Sequence, residues 1–405
     1  MTRLIVLSFV FAGISTPAGA RGARPGSAVV VKGNSHFALD LYASLAADKK
    51  HKEKNLFFSP FSISTALAMT AAGARGQTAE QMAKVLHLEV ADAKLHAAFG
   101  ATLKALRAAS RSRGNALAIA NGLWGQKGYP FLKTFRALVS RHYSAGLRGV
   151  DFKKAPESAR RTINAWVEGK TRHKIKNLIP PHVLNALTRL VLTNAIYFKG
   201  AWTTKFAQKK TRPRPFHLSS GNSVRVPLMQ VKARFGFAKD EFFQVLELPY
   251  KGKKLSMVVI LPRRGVGLPF LEKKLSASWL RKKLQRVRRQ KVKVFFPKFK
   301  MTSALRLGDK LKALGMPLAF SNQADFSGMT RRPELKISKV IHQAFLDVNE
   351  EGTVAAAATA VVMKLRGGRP PAEPTFRADH PFVFLIRDRA SGSILFLGRV
   401  MDPRK

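Results

Sequence analysis

Residues 350–375 form a stretch that neither a helix nor an ordinary turn accommodates. It reads Glu350-Glu-Gly-Thr-Val-Ala-Ala-Ala-Ala-Thr-Ala-Val-Val-Met-Lys-Leu-Arg-Gly-Gly-Arg-Pro-Pro-Ala-Glu-Pro-Thr375. Ala355, Ala356, Ala357 and Ala358 alone favour a helix. Yet the segment leaves a strand expected over 335–349 through Gly352, a residue that tolerates a hinge conformation. It ends in a Gly/Pro run that must be extended and exposed. A loop this long in a compact domain is functional or disordered. Two readings are open: a flexible surface loop, or a protease-accessible loop whose small-residue half enters a sheet as a strand.

The rest of the chain is large enough to receive such a strand. It has 405 residues, 46% of them hydrophobic, which argues against a disordered chain. Cysteine is absent, which excludes disulfides, thiolate nucleophiles and Cys-based metal sites. Residues 4–14 are apolar behind Arg3, and Ala18-Gly-Ala20 is a small-x-small cleavage pattern. This reads as a secretory signal peptide over 1–20, too short to span a membrane, and no other segment is long and apolar enough to do so. A flexible tail is expected over 21–34. Phe37, Leu41 and Leu45 then mark an amphipathic helix behind Asn34 and Ser35.

Ser59 caps a helix with Pro60 at its first position and Gly73 past its end. Thr78 and Gln81 read as a capping box. Further helices are expected at 91–109, 130–143, 156–171, 268–275, 276–287 and 303–314. Strands are expected at 189–198, three times within 224–262, at 291–297 and 335–349, and in a closing hairpin over 381–386 and 394–400. With no repeat and no linker, the pattern fits one large α+β domain.

Several separate motifs, in order, resemble one family. Glu350-Glu-Gly-Thr353 with its alanine run resembles the hinge of inhibitory serpins. Asn55-Leu-Phe-Phe-Ser-Pro-Phe-Ser-Ile-Ser64 resembles the family's entry into its second helix. Leu192-Thr-Asn-Ala-Ile-Tyr-Phe-Lys-Gly-Ala-Trp202 resembles the strand carrying its shutter Asn and breach Trp. The segments 320–328, 336–342 and 378–382 are family-like as well. The resemblance covers roughly Ser35 to Pro403, nearly the whole expected mature chain. It implies a single serpin domain over 35–405, with three β-sheets, about nine helices and a reactive-centre loop at about 350–375. It also implies a monomer that traps a protease covalently: the cleaved loop inserts into the large sheet and drags the acyl-enzyme with it.

By that resemblance the hinge comprises Glu350, Gly352, Thr353 and Ala355 to Ala358. Counting fifteen residues from Gly352 places the scissile bond at Arg366–Gly367. An Arg there suits a protease with an acidic specificity pocket, the trypsin-like kind. Lys364 and Arg369 are the alternatives. Ser59, Ser62, Asn194 and His342 match the shutter, and Trp202 and Lys298 the breach, with Lys298 paired to Glu350. A catalytic triad of Ser59, Ser62 and His342 is disfavoured, because no acid is marked nearby and no G-x-S-x-G occurs. Neither H-E-x-x-H nor a complete phosphate loop occurs, and no metal or cofactor is expected.

Lys+Arg number 72 against 23 Asp+Glu, a formal charge of +49. The densest tract, 281–300, contains no acid and includes Arg281, Lys282, Lys283, Arg286, Arg288, Arg289, Lys291 and Lys293. It reads either as a solvated face or as a site for a polyanion such as heparin or DNA. Two functions follow: a secreted inhibitor of trypsin-like serine proteases, or a non-inhibitory serpin that binds polyanions.

Overall fold

The computed structural model describes residues 25–88, 93–110, 114–143, 146–332, 334–353 and 373–405. The expected signal peptide, residues Ala355 to Ala358 and the Arg366–Gly367 bond lie outside them. Among the described residues the helices are α1 (Pro25–Ala46), α2 (Pro60–Ala71), α3 (Gly76–Val85), α4 (Ala93–Ser110), α5 (Lys133–Tyr143), α6 (Pro156–Lys170), α7 (Leu268–Lys274), α8 (Ala277–Gln285) and α9 (Gly308–Ala313). The strands are β1 (Leu56–Phe58), β2 (Asn115–Gln126), β3 (Leu147–Val150), β4 (Leu190–Ala201), β5 (Arg212–His217), β6 (Ser223–Lys239), β7 (Phe243–Pro249), β8 (Leu255–Pro262), β9 (Arg288–Pro297), β10 (Phe299–Arg306), β11 (Lys339–Val348), β12 (Gly352–Thr353), β13 (Thr375–Arg377), β14 (Phe382–Asp388) and β15 (Ile394–Val400).

One sheet runs β10-β11-β4-β2-β3, with β12 added beside β4. The other runs β1-β15-β14-β8-β7-β6-β9-β13, with β5 beside β6. Strand β6 pairs β5 and β9 over most of its length and β7 at its end. Two of the three expected sheets therefore share a strand and form one hydrogen-bonded network.

Strand β4 is buried on both faces. Its residues Leu190, Leu192, Ile196 and Phe198 join the main core. Val191 and Ala195 join a smaller core closed by Ile163 and Val167 of α6. This two-sided burial explains why the strand expected at 189–198 is nearly continuous in apolar character.

Four expectations are corrected. Residues 25–34 are not a loose tail but the start of α1. The apolar stripe extends back to the buried Val30, and Asn34 is no cap: its amide donates to the Ile394 carbonyl at 3.0 Å. Thr78 and Gln81 lie inside α3, whose N-cap is Arg75. Their side chains instead accept the backbone N–H groups of Asp325 and Leu318. Residues 303–306 are strand, not helix, because burial alternates residue by residue along β10 and helix begins only at Gly308. Strand β2 went unread, since its Ala, Gly and Asn content has low strand propensity. Pairing with β4 along eleven positions holds it in place.

Candidate functional site: the seam between β4 and β11

Strands β4 and β11 pair in parallel, Lys339–Phe345 against Val191–Tyr197. Halfway along this seam, His342 lies opposite Asn194. On the other side of β4, Asn121 lies opposite the same residue. Three polar side chains thus form one row across three strands, under the cap of α2.

The N-cap geometry of Ser59 sets the base of this cluster. Its hydroxyl donates to the Leu395 carbonyl at 2.6 Å and accepts the Ser62 N–H at 3.2 Å. Its backbone N–H donates to His342 Nε2 at 3.1 Å. His342 must therefore carry its proton on Nδ1, which donates to Asn194 Oδ1. Asn194 Nδ2 donates to Ser62 Oγ at 2.6 Å and to Asn121 Oδ1 at 2.5 Å. The Ser62 hydroxyl donates to Asn121 Oδ1 at 2.8 Å. Burial drives the His342 pKa down to about 3, so the ring is neutral. Ser59 Oγ is committed to a carbonyl, and none of these hydrogen bonds involves a carboxylate. The cluster has no nucleophile–base pair and is a network tying β11, β4, β2 and α2 together.

A second cluster closes the seam at the far end of β4. Trp202 is buried and stacks on Tyr250, with ring centroids 4.6 Å apart. Its indole N–H donates to the Asn349 carbonyl at 3.0 Å, and its backbone N–H to the Glu351 carbonyl at 2.9 Å. The Glu350 carboxylate meets Lys298 at 3.1 Å and the Thr211 hydroxyl at 2.9 Å. Burial pushes the Glu350 carboxyl up, but its own backbone N–H, Lys298 and Thr211 outweigh this and hold it below the usual value. Glu351 pairs with Lys205.

Here the chain reverses. Asn349 and Gly352 exchange backbone hydrogen bonds at 2.8 and 3.2 Å. Gly352 then lies opposite Ala201, and Thr353 opposite Gly200, antiparallel to β4. Gly352 has φ 138°, and a Cβ there would sit 2.1 Å from the Gly200 carbonyl oxygen. Only glycine fits.

The structure thus gathers Ser59, Ser62, Asn194 and His342 at mid-seam, and Trp202, Lys298, Glu350 and Gly352 at its end. Sequence reasoning missed Asn121, whose one signal is an amide within the run Ala-Ile-Ala-Asn-Gly-Leu-Trp. It also missed Tyr250, Thr211 and Lys205. Folding brings acids to two residues of the basic tract. Lys283 pairs with Asp240, and Lys291 with Glu373 at 2.7 Å. Arg281 lines a cavity between α1 and α8, whereas Lys291 and Lys293 stand on β9. No metal-binding cluster of His, Cys, Asp or Glu occurs among the described residues, nor any helix long and apolar enough to cross a membrane.

The first residues of a returning segment thus pair beside β4, at the end of a seam held by one row of buried hydrogen bonds. A family model described as serpin, serine protease inhibitor, matches residues 32–403. The leukocyte elastase inhibitor of Bos taurus is 44% identical over 380 residues, covering 91% of this chain and 98% of that protein. An uncharacterized serpin-like protein of Thermococcus kodakarensis is 42% identical, covering 93% and 86%. The crystal structure of Serpin48 from the insect Tenebrio molitor has a TM-score of 0.82 at 34% identity, covering 92% of this chain and 98% of that one. The chain belongs to the serpin family. It is of the protease-inhibitor kind and not an enzyme.

Proposed function

We propose that this serpin is a suicide-substrate inhibitor of trypsin-like serine proteases, exported by residues 1–20 and cleaved between Arg366 and Gly367. The protease serine attacks the Arg366 carbonyl, the Gly367 amine leaves, and an ester joins Arg366 to the enzyme. Hydrolysis of that ester competes with insertion of the freed segment.

The observation that carries this reading is the register of the returning chain. Continued past Thr353, the pairing of Gly352 and Thr353 would take an inserted chain one step back along β4 and one step back along β11 per residue. Both extrapolated registers would bring an inserted Thr359 to the same rung, between Asn194 and His342. An inserted Thr359 would take the place of the Asn194–His342 hydrogen bond. Ala355 and Ala357 would fall opposite Phe198 and Ile196, on the face of the main core, where only small side chains enter without displacing others. Insertion exchanges seven parallel positions for two antiparallel ladders, the stronger arrangement per residue. At about 1 kcal/mol net per hydrogen bond, the gain is on the order of 10 kcal/mol. That is enough to drive the transfer of an attached protease.

Trypsin is expected to form a complex that survives detergent denaturation. Arg366→Ala should abolish it with the fold intact. Trapping at an unchanged rate by Arg366→Ala would move the reactive bond to Lys364 or Arg369. No trapping by the unaltered chain would favour the non-inhibitory, polyanion-binding reading. Export is checked by sequencing the secreted N-terminus, expected at Arg21.

A further inference from the structure

Among the described residues three large apolar side chains lie exposed: Val29 at 41%, Phe242 at 40% and Leu187 at 80%. A lone exposed leucine is ordinary on a protein surface. This one is held out by a closed turn just before β4. The Asn185 side-chain carbonyl accepts the Leu187 N–H at 3.1 Å and the Thr188 hydroxyl at 3.2 Å. The Thr188 hydroxyl oxygen accepts the Asn185 N–H at 3.1 Å, and the Thr188 N–H donates to the Asn185 carbonyl at 3.0 Å. Arg189 Nη1 donates to the carbonyls of Ala186 and Thr188 at 2.7 and 3.0 Å. Buried Leu184 and Leu190 anchor the turn on either side. Its own hydrogen bonds hold the turn, and the Leu187 side chain is left in solvent.

The register gives this turn a place in insertion. Arg366 is as far along the chain from Gly352 as Leu187 is from Ala201, and Gly352 lies opposite Ala201. An inserted chain that keeps this register would therefore bring Arg366 to the level of Leu187. Val362 would be its last residue with a partner on both sides, Val191 of β4 and Lys339 of β11. Beyond that rung β11 has not begun, and the residues up to Arg366 would run out past the turn at 185–189. The ester at Arg366, with the protease attached to it, would stand about 45 Å from the hinge. It would lie beside the most exposed large apolar side chain among the described residues.

We infer that Leu187 is the contact on which the trapped protease comes to rest, and that this contact lengthens the life of the ester. The inference rests on the proposed suicide-substrate function. An enzyme pulled out of shape around its serine uncovers apolar side chains that its own fold buries, and Leu187 would cover them. To hydrolyse the ester, the protease must rebuild its active site. Water then attacks the Arg366 carbonyl, and the serine oxygen leaves with a proton taken from that water. Rebuilding takes the apolar side chains back and exposes Leu187 again, so the contact opposes it. Leu187 lies outside the seam, and acylation and insertion, the steps before arrival, do not involve it.

The test is the release of active trypsin from the purified complex, followed over days for the full chain and its variants. Leu187→Ser should speed release about three- to thirtyfold, the part of a leucine's burial that one contact supplies. Leu187→Met keeps an apolar side chain of similar volume and should stay within about twofold of the native rate. Phe242→Ser, directly before β7, should do the same. The rate of complex formation and the inhibitor consumed per trypsin should be unchanged in every variant. Release by Leu187→Ser at the native rate would overturn the inference. So would a change in complex formation or consumption that accompanies faster release, since Leu187 would then act on insertion. Equally fast release by Phe242→Ser would overturn it too, since the effect would not belong to this turn. If the unaltered chain forms no complex, the inhibitor reading fails and this inference with it. A complex that forms normally and whose life ignores Leu187 sinks only the inference.

Discussion

His342 shows how one side chain holds a seam shut. It accepts the Ser59 N–H through Nε2 and donates to Asn194 through Nδ1, so both nitrogens are used only by the neutral ring. A proton on Nε2 would turn an acceptor into a second donor facing an N–H. Burial lowers the folded-state pKa from 6.5 to about 3. Above pH 6.5 neither state binds the proton and the full stability is present. Between 6.5 and about 3 the unfolded chain takes up a proton that the folded chain refuses, so stability falls as pH falls. The loss from this group reaches at most about 5 kcal/mol. Unfolding free energies from pH 7 to pH 4 should therefore fall more steeply for the native sequence than for His342→Asn. Equal slopes would mean that His342 is not buried as a neutral ring. Asn121 belongs to the same network. No local pattern marks it, because its place is set by the pairing of β2 with β4 and not by its sequence neighbours.

At the scale of elements, the parallel pairing of β4 with β11 is the part of the fold that insertion must break. The geometry at Asn349 to Thr353 aims the chain into it. Residues in step with Thr353 would face the main core once inserted. Thr353→Arg would then bury an unpaired cation, at a cost of several kcal/mol. Insertion should slow, hydrolysis of the ester should win, and trypsin should be released active while the inhibitor is consumed. Trapping by Thr353→Arg as efficient as that of the native chain would contradict the register.

The elements legible in the sequence were those with a strong local signature. Examples are α2 with Ser59 and Pro60, and β8 as an apolar run ending in Pro262. The hinge, shutter and breach were legible only because whole motifs resemble a family. Those that failed depend on distant partners. Strand β2 is held by β4, the start of α1 by contacts such as Asn34 to Ile394, and β10 by pairing along β11.

At the scale of the whole molecule, the proposed mechanism is that one cut releases stored free energy. The six-stranded sheet has its seam closed by a parallel ladder and a row of buried hydrogen bonds, with the returning chain already started beside β4. On the proposed mechanism this state holds less stabilisation than one with a further strand in the seam. If insertion adds on the order of 10 kcal/mol, cleavage must raise stability without any change in sequence. The most direct measurement is the melting temperature of the intact chain against that of the same chain cleaved once between residues 354 and 372. Melting of the cleaved chain is expected at least about 15 °C higher. Equal melting temperatures before and after cleavage would contradict the insertion mechanism.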